Sequence, residues 1–289
     1  MNLGHRYGLP LLLMLSLSMA KPALAESFRS AEAAVEQGVI HVQQGQLDAA
    51  IAAFESAVAL DPTLAVAHYN LGLAYREQRQ MQAAADAFWQ ATQADAEFTM
   101  AYVNLGAALL DSGNLDQAES YLQRAVILDP QLGLGHYNLG LVQRRQGNLA
   151  AALTSFTTAA NRSPQAPEVH YQIGLLYLQD NQLDTAVQAL ETAISLDSNY
   201  PEAHYSLGIA YFGKEETESA ETALQHFDQA IRLYPSFGHA YYSKGLTLAA
   251  LDRTDEAEQV LQQALNLYIN QGRSEWVANT QAQLERIRQ

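Results

Sequence analysis

Tyrosine, asparagine and histidine recur in this chain at one fixed spacing. His68, His136, His170 and His204 each precede a tyrosine, namely Tyr69, Tyr137, Tyr171 and Tyr205. Asn70, Asn104 and Asn138 follow one another at intervals of 34 residues. A phenol offers apolar area with a polar tip at low entropic cost on ordering. A carboxamide offers both a donor and an acceptor. That is chemistry of recognition rather than of bond breaking. The histidines, spread one per layer of a stack with layers about 10 Å apart, cannot converge on a metal whose ligands lie about 2 Å away. They read as packing residues that make a hydrogen bond. Gly208 to Glu215 approaches a phosphate-binding loop, but Glu215 stands where that loop needs Ser or Thr, and a carboxylate repels phosphate. The sequence contains no H-E-x-x-H, no nucleophile elbow and no carboxylate pair at catalytic spacing. The expectation is a non-enzymatic protein with no cofactor and no metal.

Composition narrows the partners. The 289 residues carry 31 acidic and 16 basic side chains, a formal net charge of −15. Phosphate repels such a chain, which argues against nucleic acid and anionic membrane surfaces. Apolar residues make up 48%, too many for a disordered acidic tail. Without cysteine there are no disulfides, thiol nucleophiles or thiolate metal sites. Residues 1–25 read as a signal peptide. Arg6 precedes an apolar run from Leu9 to Ala20 that is too short for a stable span of roughly twenty residues, and Ala23-Leu24-Ala25 fits a cleavage site. Its removal takes away Arg6 and Lys21 and no acid, so the net becomes −17. The expected location is outside the cytoplasm: a periplasm, an equivalent lumen or the medium.

The spacing belongs to an internal repeat. AHYNLGLAY from Ala67, AYVNLGAAL from Ala101, GHYNLGLVQ from Gly135, VHYQIGLLY from Val169 and AHYSLGIAY from Ala203 start 34 residues apart. An alanine, an aromatic or leucine, and a second alanine follow each, as Ala84, Phe88 and Ala91 do in one unit. Each unit reads as two helices of about fourteen residues, roughly 21 Å long. One unit cannot bury its apolar stripe alone, so neighbours stack into a solenoid. The pattern resembles the tetratricopeptide repeat (TPR) family. The resemblance implies an all-α, right-handed superhelical solenoid of seven helix–turn–helix units at 31–64, 65–98, 99–132, 133–166, 167–200, 201–237 and 238–271. Unit six is three residues longer, around the acidic stretch Lys214–Glu218, which reads as an enlarged turn. Residues 273–289 form a capping helix, apolar through Trp276, Val277, Thr280, Leu284 and Ile287.

The same resemblance implies that the first helices line a concave groove. In that frame Tyr69, Tyr137, Tyr171, Tyr205 and Tyr242 occupy the fifth place of their units, beside Asn70, Asn104 and Asn138 in the sixth. The expectation is an extended peptide or helix of a partner protein lying on those rings, with the asparagines matching its backbone amides. Two other origins stay open: rings packed on the next layer, and asparagines that are family background. The family's lysine-based carboxylate clamp is not expected, because the second place holds Glu32, Val66, Met100, Leu134, Glu168, Glu202 and His239. Rival expectations are a structural subunit that docks through its convex face and a cell-wall glycan binder.

Overall fold

The computed structural model describes residues 30–288, which form helices and no strand. The N-terminal half runs α1 (Ala31–Gln43), α2 (Leu47–Leu60), α3 (Ala65–Glu77), α4 (Met81–Ala94), α5 (Thr99–Asp111), α6 (Leu115–Leu128), α7 (Gly133–Arg145) and α8 (Leu149–Arg162). Then come α9 (Pro167–Gln179), α10 (Leu183–Leu196), α11 (Pro201–Phe212), α12 (Thr217–Leu233), α13 (Gly238–Ala250), α14 (Thr254–Asn270) and α15 (Ser274–Ile287). The leader expected at residues 1–25 lies outside the described residues. The chain divides into two compact units, with the boundary inside α8 between Ser155 and Phe156.

Glycine lets the helices pair closely. A Cβ placed on Gly72 in α3 would stand 2.6 Å from the Phe88 ring of α4, and one on Gly106 in α5 would stand 2.4 Å from Leu122 of α6. Such overpacking costs about 1–3 kcal/mol. Phe88 and Leu122 are themselves fully buried, so neither has room to yield. The turns use left-handed backbone at Gly45, Gly113 and Gly147, but the same role falls to Arg79, Asn181 and Asp252 elsewhere.

In the N-terminal unit α1 touches α3 and α5 touches α7; in the C-terminal unit α9 touches α11 and α11 touches α13. Within each unit the second helices α2, α4 and α6, and α10, α12 and α14, make no comparable contact with one another, nor do the first helices α3 and α5. First helices are therefore the closer set, and they form the inner wall of each unit. The histidine column stitches repeat to repeat. The Nε2 atoms of His68, His136 and His170 lie 2.8, 3.2 and 3.3 Å from the carbonyls of Pro62, Pro130 and Pro164. His204 does the same with Ser198 at 3.2 Å.

The enlarged turn expected in unit six is instead mostly helix. α12 is 17 residues long where α10 has 14. The added residues Thr217, Glu218 and Ser219 extend its start by about one turn, since extending a formed helix gains one hydrogen bond per residue fixed. Lys214 in the short turn pairs with Asp184 at 2.6 Å. At the C-terminus α15 lays Leu284 against Leu261 and Leu265 of α14.

Candidate functional site

The fifth-place tyrosines are not a row of exposed rings. Tyr69 is 1% exposed, and Tyr137 and Tyr171 are also buried. Tyr69, Tyr171 and Tyr205 each meet an aromatic residue that closes their own repeat, just before the first helix of the next. Tyr69 stands 4.8 Å from Phe98, Tyr171 stands 4.9 Å from Tyr200, and Tyr205 stands 5.0 Å from Phe237. Phe98, Tyr200 and Phe237 are the residues just before α5, α11 and α13. The column is a set of clips between layers. Only Tyr205 and Tyr242 remain half-buried, and Tyr242 meets Trp276 edge-on at 5.5 Å. Burial pushes the Tyr69 and Tyr205 phenols above their ordinary pKa. The same burial removes the stacking platform a sugar would need at Tyr69, Tyr137 and Tyr171.

The asparagine ladder also departs from expectation. Asn104 donates to the Tyr69 hydroxyl at 3.2 Å and to the Met100 carbonyl at 2.9 Å, and its oxygen accepts from Arg76. Both its donors are thus spent inside the protein. Asn70 is 0% exposed, and neither of its amide atoms has a hydrogen-bond partner. Asn138 is buried too. These amides are not laid out along the surface for a guest backbone.

Other side chains face outward from the inner wall of the N-terminal unit. Val66, Met100 and Leu134, in the second place of α3, α5 and α7, are half-buried, as are Ala107 and Leu141 further along. Val66 and Met100 belong to an open cleft of about 450 Å³, with Leu64, Phe98 and the carboxylates Asp95 and Glu97 at its edge. Near the C-terminal ends of the helices stand Arg76 and Arg144, both half-buried. Burial pulls the Arg76 pKa down, and the Arg144 Nε lacks a hydrogen-bond partner. Arg145 is held by the Leu110 carbonyl at 2.7 Å.

The second-place strip was visible in the sequence as Val66, Met100 and Leu134, but the tyrosines drew attention from it. A signal for the clips was present as well. Leu64, Phe98, Leu132, Tyr200 and Phe237 each close a unit, just before the next first helix. The phosphate-loop resemblance dissolves, because Gly208 lies inside α11 against Phe227. Among the described residues no helix is long and apolar enough to cross a membrane.

A model described as TPR repeat matches residues 38–79 and 174–214. A second, described as tetratricopeptide repeat, matches 69–133, 103–167 and 216–272. No curated protein matches the chain. Solved structures share the fold at low identity. YrrB, described as a TPR protein with an unusual peptide-binding site, aligns over 68% of this chain and 99% of its own at 22% identity and TM-score 0.56. A tetratricopeptide repeat protein of Parabacteroides merdae aligns over 88% and 100% at 17% identity and TM-score 0.66. PilF of Pseudomonas aeruginosa aligns over 73% and 94% at 22% identity and TM-score 0.64. The fold they share is a scaffold for protein–protein interaction. With most of its repeats matched in sequence and its helices paired in the same way, the chain belongs to the tetratricopeptide repeat family.

Proposed function

We propose that the protein is an exported, non-enzymatic scaffold that holds an extended segment or helix of a partner protein on the inner wall of its N-terminal unit. One observation carries this reading: the strip Val66, Met100 and Leu134 stays half-exposed on the first helices while the tyrosines beside it are sealed. Apolar residues aligned along such a wall mark interaction sites. The cleft between Val66 and Met100 suits an apolar side chain of the partner, and Arg76 and Arg144 suit acidic groups at the other end of the wall. The leader-like sequence pattern of residues 1–25 supports export, and the net charge of −15 supports a partner other than nucleic acid.

The repeat itself supplies a gentle test. Glu32, Glu168 and Glu202 occupy the same place in other units, so glutamate is compatible with the fold there. In the first turn it also suits the helix dipole. The triple variant Val66→Glu, Met100→Glu and Leu134→Glu is expected to keep its helicity and melting temperature. Its capture of partner proteins should weaken about tenfold or more, as loss of central anchors does. Undiminished capture by the folded variant contradicts the proposal.

A second reading rests on the opposite face. Leu60, Trp89 and Ile127 are 52%, 41% and 67% exposed on α2, α4 and α6. These residues favour docking of the outer surface into a larger assembly. Their replacement by serine would then abolish partner capture while the glutamate triple variant retained it.

A further inference from the structure

Unit six holds a side-chain pair that no other repeat contains. His204 of α11 and His226 of α12 bring their Nδ1 atoms to 3.3 Å. The His204 Nε2 is occupied at the Ser198 carbonyl, 3.2 Å away. A carbonyl only accepts, so Nε2 carries the proton and the His204 Nδ1 accepts the hydrogen bond that the His226 Nδ1–H donates. At the place of His226 the other units carry Ala53, Ala87, Tyr121, Ser155, Ala189 and Val260. The pair is therefore not a product of the repeat, unlike the histidine column itself.

We propose that His204 and His226 chelate one divalent transition-metal ion, of the copper, nickel or zinc class, through their two Nδ1 atoms. Two ligands about 2.0–2.1 Å from a tetrahedral ion stand about 3.3–3.4 Å apart, the separation found here. Imidazole nitrogen suits copper, nickel and zinc. The Ser198 carbonyl supplies the outer hydrogen bond that fixes the tautomer and orientation of a ligating histidine. The Tyr211 ring lies parallel to His226, 5.7 Å away, and its hydroxyl is tied to Glu191 at 3.0 Å, so the second ligand is braced as well. Binding requires His226 to carry its proton on Nε2. That is a tautomer change through solvent with no net proton release, because burial keeps both rings neutral at pH 7, His226 down to about 4. Among the described residues no group of three His, Asp or Glu side chains is placed to hold a metal, so the protein supplies two ligands.

The test is calorimetric titration of the purified full chain, free of any affinity tag, with Cu(II), Ni(II) and Zn(II) at pH 7.5. His226→Ala is the informative variant, since Ala53, Ala87 and Ala189 show that the fold accepts alanine there. The wild type is expected to bind one Cu(II) equivalent tightest, following the usual order of the divalent ions. His226→Ala should weaken it at least tenfold, while His41→Ala in α1 leaves it unchanged. Copper electron-spin spectra should show two coordinated nitrogens that His226→Ala reduces. Equal affinity in the wild type and His226→Ala, or no binding by the wild type at submillimolar ion, overturns the site.

Discussion

Tyr69 sits between Phe88 and Phe98, 5.8 and 4.8 Å from their rings, with its hydroxyl on Asn104. Removing the ring opens a cavity lined by two repeats. Tyr69→Ala is expected to cost about 3–5 kcal/mol, as truncation of a buried aromatic does. Urea unfolding followed by circular dichroism measures it. A variant as stable as the parent would return Tyr69 to the surface and revive the reading of an exposed anchor. The sequence displayed the tyrosine column but not which way it faced. Facing depends on what closes the repeat, and Phe98, Tyr200 and Phe237 decide it from about thirty residues further on, just before the next first helix. Asn104 was hidden for the same reason, because its Tyr69 and Arg76 partners lie 35 and 28 residues away.

Helix pairs were far more legible than side-chain exposure. Glycine and alanine at fixed intervals mark where two backbones must meet, and that requirement is local to one repeat. The three extra residues of unit six were harder to place, because a loop and a longer helix accommodate the same insertion. α12 took the helical course, and it carries His226 against α11. This packing makes the helix pair sensitive to acid. Burial first, and then His204, hold His226 at about 4, below its ordinary 6.5. Above pH 6.5 the residue is neutral folded or unfolded. Between 6.5 and about 4 the unfolded chain takes up a proton that the folded form refuses, so stability falls as pH falls through that window. Urea midpoints at pH 7, 5.5 and 4.5 should decline in the wild type, and decline less in His226→Ala. Parallel declines in both proteins would contradict the depressed His226 pKa.

At the scale of the molecule, no repeat stands alone, since each buries its apolar stripe only against neighbours. First helices form the closer set in each unit, so one wall is left for a guest and the other for solvent or assembly. The inner wall keeps Val66, Met100 and Leu134 half-exposed, and the outer surface keeps Leu60, Trp89 and Ile127. Two apolar surfaces compete for the partner, and site-specific photo-cross-linking separates them. A photoreactive residue is placed at Met100 on the inner wall or at Ile127 on α6, in otherwise unaltered protein, and irradiated in cells that produce it. The account predicts a discrete adduct with a partner protein from Met100 and none from Ile127. An adduct from Ile127 with none from Met100 would contradict it and move the interaction to the outer face.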